Sequence, residues 1–260
     1  MCKVLQTIFG ELMTDSVTIE KRGDVVVMRM NHGKVNALDV DLLIALRESF
    51  ESIDNQAAVV LTGNERAFSA GLDLRALIAA ESTYSDSLLR ELVRTSLVIF
   101  NHAGPVIAAV NGPAIAGGAI LALAADQRLM SHGVIGLPEL HVGVPFPPAL
   151  IELSRHVMGH HLQQHLLGGA AIDPQAALAI NMIDEIIDAE ELLDIAVARA
   201  QRLAEVPRAT YMLVKTQLHA PVLASIEAVP AGRDDEVAAA WRSVEVREGI
   251  AAQVERMTKK

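Results

Sequence analysis

Short apolar runs and helical stripes alternate, separated by turn residues, through the first two-thirds of this 260-residue chain. Val25 to Met30 is rich in β-branched residues and reads as a buried strand. Asp39 offers an N-cap, and Leu42, Leu43, Leu46, Phe50 and Ile53 follow at helical spacing as one apolar stripe. Ala57 to Thr62, closed by Gly63, reads as a strand, Leu88 to Phe100 as a helix, and Pro105 to Val110 as a third strand closed by Asn111-Gly112. Ala116 to Ala125 is small and apolar throughout, the pattern of a fully buried helix, and Val134 to Leu137 reads as a short strand before Pro138. Strands alternating with helices predict an α/β architecture. From Pro147 onward the pattern is mostly helical, broken at Gly168-Gly169 and at the Asp173-Pro174 helix start, and Arg208 to Lys260 reads as a helical tail.

Composition narrows the partners. Half of the chain is apolar (51%) but only 3% is aromatic, so the core is built from Ala, Val, Leu and Ile. The net charge of −10 and the lack of a basic cluster argue against nucleic acid as a partner. Cys2 is the single cysteine, which excludes a disulfide framework or a cysteine zinc site and fits a reducing, cytoplasmic setting. No uncharged apolar run reaches the roughly 18 residues of a membrane span. Met1 to Leu12 lacks the pattern of a signal peptide, and Met13-Thr14-Asp15 reads as a second start. Residues 1–14 are therefore expected to be a disordered extension, 15–205 the core, and 206–260 a C-terminal helical region.

Two glycine-containing stretches invite chemistry. In Ala67-Phe68-Ser69-Ala70-Gly71-Leu72-Asp73-Leu74, the small residues around Gly71 permit a backbone path that can turn an N–H toward a ligand oxygen. On local chemistry alone, an ordinary glycine turn ahead of a helix capped by Asp73 is the better reading. Asn111-Gly112-Pro113-Ala114-Ile115-Ala116-Gly117-Gly118 runs into the apolar helix, where unpaired N–H groups can face a ligand. No P-loop Lys-Ser/Thr follows, and the spacing is not G-x-G-x-x-G. Close packing of helix on strand is the alternative.

Taken together, these stretches resemble one family. A-F-S-A-G-L-D-L, then P-V-I-A-A-V-N-G-P-A-I-A-G-G, then I-G-L-P-E-L-H-V-G-V-P are similar in order and spacing to the enoyl-CoA hydratase/isomerase (crotonase) superfamily. Leu166 to Gly169, Asp173 to Asn181, Ile183 to Ile187 and Val244 to Arg256 extend the resemblance, which runs from about Val17 to the end. It implies a crotonase-like spiral of ββα units with a C-terminal helical region, assembled as a homotrimer or hexamer. It implies an acyl-CoA thioester as substrate, with no cofactor beyond the coenzyme A that the substrate carries. The thioester oxygen would lie between the backbone N–H groups of Leu72 and Gly117, preorganised donors for an enolate. Lys34, Ala37, Ala70 and Asp73 fall where the family holds coenzyme A, and Lys215 falls in its C-terminal helical region near CoA.

One departure bears on the reaction. Hydratases of the family use two glutamates to hold water; the second matches Glu139, but the first falls at Ile120, which cannot accept a proton. The Ala116-Gly117-Gly118 sequence with Ile120 resembles the Δ3,Δ2-enoyl-CoA isomerases. There a single carboxylate removes a proton from C2 of a 3-enoyl thioester and returns it at C4. Ile120, Leu137 and Val144 would form an apolar acyl pocket, which raises a carboxylate pKa. A weak hydratase and a non-catalytic acyl-CoA carrier are the alternatives.

Other residues read as structural. His156, His160, His161 and His165 include i,i+4 pairs, but without H-E-x-x-H or a third carboxylate they read as helix-surface or subunit-contact histidines. His102 and His141 read as packing residues. Ser69 is not in a G-x-S-x-G elbow, which disfavours a serine hydrolase.

Overall fold

The computed structural model describes residues 6–8, 11–13 and 16–259. In chain order the elements are β1 (Gln6–Ile8), β2 (Glu11–Met13), β3 (Val17–Arg22), β4 (Val25–Met30), α1 (Val40–Ser52), β5 (Ala58–Thr62), α2 (Leu74–Ala79) and α3 (Tyr84–Phe100). Then come β6 (Val106–Val110), β7 (Ala114–Ile115), α4 (Gly117–Leu123), β8 (Gln127–Met130), β9 (Ile135–Gly136), α5 (Glu139–Val142), α6 (Pro148–Met158) and α7 (His161–Gly168). The chain ends with β10 (Ala171–Ile172), α8 (Pro174–Ala179), β11 (Glu185–Ile186), α9 (Leu192–Ala204), α10 (Arg208–Glu227), α11 (Arg233–Arg242) and α12 (Val244–Thr258).

Two sheets result. The larger has the order β1-β2-β3-β4-β5-β6-β8-β11, antiparallel from β1 to β4 and parallel beyond; the smaller has the order β10-β9-β7. Two successive turns of the chain each leave one strand in the large sheet and the next in the small one, then a helix: β6, β7, α4, then β8, β9, α5. This is the expected ββα spiral. The parallel strands are covered on both sides, which explains their unbroken apolar sequence. Along β4, Val26, Met28 and Met30 face the main core, while Val25 and Val27 face a second layer closed by Ala196 and Ala200 of α9.

The expected elements appear within a few residues. Asp39 caps α1 by accepting the Leu42 amide at 2.8 Å, and Asp173 caps α8 from the Ala176 amide at 2.9 Å. All seven residues of α4 are buried, as its composition requires. Within the extension expected to be disordered, β1 and β2 pair with each other, and β2 pairs with β3. Cys2 and the remainder of residues 1–14 lie outside the described residues. No helix among the described residues is long and apolar enough to cross a membrane.

Several polar residues sit elsewhere than the sequence suggests. Lys215 is buried, pairs with Asp126 at 2.8 Å and donates to the Gly104 carbonyl at 3.0 Å. It fastens α10 to the ends of β6 and β8 and lies in a separate cavity of about 630 Å³, which corrects the expected place near CoA. His165 is buried rather than on the surface, and the rings of His156 and His219 pack around Phe100. Among the described residues no group of three His, Cys, Asp or Glu could hold a metal ion.

Candidate active site

The two glycine-containing stretches lie side by side. The Ser69 amide donates to the Pro113 carbonyl at 3.0 Å, and the Ile115 amide donates to the Ser69 carbonyl at 2.9 Å. Leu38 flanks the first stretch from the other side: its amide donates to Gly71 at 2.7 Å, and its carbonyl accepts the Asp73 amide at 2.9 Å. The Leu72 amide falls between these bonds and has no protein acceptor among the described residues. Gly71 has φ +85°, and a Cβ there would stand 2.6 Å from the Ile115 carbonyl oxygen, so only glycine fits.

The second amide belongs to Gly117, the first residue of α4, where the helix supplies no acceptor. Ala116 turns the chain into that helix at φ 54°, ψ −124°, a conformation that favours glycine. Its own amide is occupied by the Gly136 carbonyl at 2.8 Å. The turn thus consumes one N–H and leaves the next one free.

Leu72 and Gly117 both line a cavity of about 690 Å³. Glu139, Ile120 and Val144 line it too, as do Lys34, Ala37, Ala70 and Asp73. Leu137 does not: it is fully buried in the core on β9's exit, so the expected acyl wall is supplied without it. Asp73 is occupied as the cap of α2, its carboxylate accepting the Arg75 and Ala76 amides at 3.0 Å each. Lys34 is exposed at the rim, and Arg75, unnoticed in the sequence, is a second exposed cation there.

Glu139 opens α5 directly after Pro138. The residue is half-buried, yet its Oε2 is shielded from solvent and has no hydrogen-bond partner. Removal from water pushes its pKa up to about 8, a shift only partly opposed by its own backbone amide. Ile120 of α4 is fully buried, and its side chain offers nothing but carbon. A carboxyl that holds a proton near neutrality therefore shares one cavity with two unclaimed amides.

Sequence reasoning missed the part of the cavity built by the C-terminal helices. Trp241 of α11 and Gln253, Val254 and Met257 of α12 line it. Trp241 donates from Nε1 to the Pro145 carbonyl at 2.9 Å, and α12 rests on α5 where Gly249 meets the Val142 carbonyl. The lone tryptophan was the available signal.

Comparison with known proteins gives the family. Residues 20–260 match the family model described as enoyl-CoA hydratase/isomerase. A carnitinyl-CoA dehydratase of Salmonella enteritidis is 31% identical over 198 residues, covering 74% of this chain and 75% of that protein. Among solved structures, an enoyl-CoA hydratase of Mycobacterium ulcerans superposes with a TM-score of 0.79 at 29% identity, over 87% of this chain and 99% of that one. Human mitochondrial Δ3-Δ2-enoyl-CoA isomerase superposes with a TM-score of 0.85 at 25% identity, over 94% and 99%.

Proposed function

The chain belongs to the enoyl-CoA hydratase/isomerase family and is an enzyme of the crotonase superfamily, and from that premise we propose that it isomerises Δ3-enoyl-CoA to Δ2-enoyl-CoA with Glu139 as the only proton carrier. One observation carries the reading. Of the two carboxylates that line the cavity, Asp73 caps α2 through Oδ1, whereas Glu139 holds a shielded Oε2 with no hydrogen-bond partner, and Ile120 stands where the family's hydratases carry a second glutamate.

The reaction follows from these parts. The thioester oxygen accepts the Leu72 and Gly117 N–H groups. Ionised Glu139 takes a proton from C2; the C–H electron pair forms a C1–C2 double bond and the carbonyl π pair moves onto the thioester oxygen, giving a dienolate conjugated with the C3–C4 double bond. The two amides stabilise that charge, each worth about 3–4 kcal/mol in comparable oxyanion sites. Glu139, now a carboxylic acid, returns the proton at C4, and the double bond ends between C2 and C3. Atoms and charge balance without a cofactor. Lys34 and Arg75 at the rim suit the phosphates of coenzyme A.

Hydration of a Δ2-enoyl thioester needs water oriented by more than one group, and the alkyl side chain of Ile120 cannot help. The test is a paired assay. Mixing the enzyme with a 3-enoyl-CoA should generate the conjugated-enoyl absorbance rapidly, whereas a 2-enoyl-CoA should lose that absorbance slowly or not at all. The reverse order of rates would make the protein a hydratase. Tight binding of both thioesters without turnover would make it a carrier.

A further inference from the structure

Ser69 stands outside the proposed proton transfer and is no nucleophile, yet it is fully buried and bonded at every polar atom. Its amide and carbonyl stitch the first turn to the second through Pro113 and Ile115. Its hydroxyl donates to the Asn36 carbonyl at 2.7 Å and accepts the Gly71 amide at 3.2 Å. Asn36 itself is a fixed post. It is buried at φ 49°, its Nδ2 donates to the Ala67 and Phe68 carbonyls at 3.1 Å each, and its Oδ1 accepts the His32 amide at 2.8 Å.

The far side of Ser69 touches α4. A Cβ on Gly118 would stand 2.5 Å from the Ser69 carbonyl oxygen and 2.9 Å from its hydroxyl oxygen, so the helix start rests on Ser69 with no space between. Gly71 closes on the second turn in the same way, against Ile115 and Ala116. The two amides left free, Leu72 and Gly117, thus belong to segments that meet at one serine. The hydroxyl also decides which amide is free on the first turn: it occupies the Gly71 N–H, so that the next N–H, at Leu72, is the one left without an acceptor.

We propose that Ser69 is the positioning residue of the oxyanion site, setting the direction of the Leu72 N–H and its spacing from the Gly117 N–H. This rests on the proposed reading of those two amides. Without the hydroxyl, the Gly71 amide loses its partner and the turn can rotate about Gly71. Misplacement of a donor by about 1 Å costs on the order of 10²-fold in rate, while the cavity that binds the acyl-CoA is left as it was.

The experiment uses octanoyl-CoA labelled with ¹³C at the carbonyl carbon, a saturated thioester that does not isomerise. Difference infrared spectroscopy reads the carbonyl stretch of the bound ligand. In the native enzyme the stretch should shift to lower frequency; its failure to shift would sink the oxyanion reading itself. In Ser69→Ala the shift should shrink, with kcat on a 3-enoyl-CoA down by about 10- to 100-fold and KM little changed. Ser69→Cys keeps a weaker donor and acceptor on a somewhat larger side chain, and should give an intermediate shift; it also serves if the alanine variant does not fold. A folded variant of either kind with the full native shift and native kcat would show that Ser69 merely packs, and would overturn the proposal.

Discussion

At the scale of single residues, the reading turns on a carboxyl group and a strained alanine. Glu139 carries a pKa of about 8 against an ordinary 4.5 because burial disfavours its charged form. The base must be ionised to take the C2 proton, so kcat/KM should rise with pH and level off above about 8. A pH profile of the isomerase assay checks this, and a limb near pH 4.5 would contradict it. Stability runs the other way. Between pH 4.5 and about 8 the folded protein keeps a proton that the unfolded chain releases, so Glu139 makes stability fall as pH rises through that window. Glu139→Gln should lose that slope, and its melting temperature relative to the native protein should climb from acid to mildly basic pH. Ala116 holds φ 54° where glycine is at ease. Ala116→Gly should relieve about 1–3 kcal/mol of strain and give back about 0.4–1 kcal/mol to unfolded-state entropy. Thermal or denaturant unfolding should show a net gain. The Ala-Gly-Gly pattern was legible in the sequence, but its strain was not: alanine holds its positive φ where its amide donates to the Gly136 carbonyl of β9, a contact no local pattern encodes.

Among the elements, the strands and helices of the spiral were readable because each signals its own period. β4 matches its apolar run end to end, and α1 begins at its cap. The short strands β7, β10 and β11 have two residues each, too few for a period, and exist because the spiral brings partners alongside; β9, equally short, lies within the Val134–Leu137 run that reads as a strand. The closure of the cavity by α11 and α12 was equally hidden, since helical periodicity shows that a face is apolar but not what it covers. Gly249 lets α12 approach α5 until a Cβ would stand 2.6 Å from the Val142 carbonyl oxygen. Gly249→Ala should therefore push the two helices apart. We expect a loss of about 1–3 kcal/mol, the usual cost of overpacking, together with a fall in turnover, because α5 carries Glu139. Denaturant unfolding beside the isomerase assay would show both; a stable, fully active variant would mean that α12 does not hold α5 in place.

At the scale of the whole molecule, Leu72, Gly117 and Glu139, which the resemblance picked out from separate motifs, line one cavity, since linked motifs keep their order along a spiral. It misplaced Lys215, because a match in position says nothing of whether a lysine turns outward or into an ion pair. The apolar balance of the chain, with a mean hydropathy of +0.31, leaves surface to be covered. Leu213 and Leu218 of α10 are each 60% exposed, which is where a neighbouring copy would bury area. Light scattering should find trimers or hexamers, and a clean monomer at micromolar concentration would contradict that assembly. The central claim, one glutamate moving one proton, is tested most directly by the initial rate of Δ3-to-Δ2 conversion in Glu139→Gln beside the native enzyme. The account predicts a drop on the order of 10²–10⁴-fold with acyl-CoA affinity little changed; an undiminished rate would mean that another base does the work.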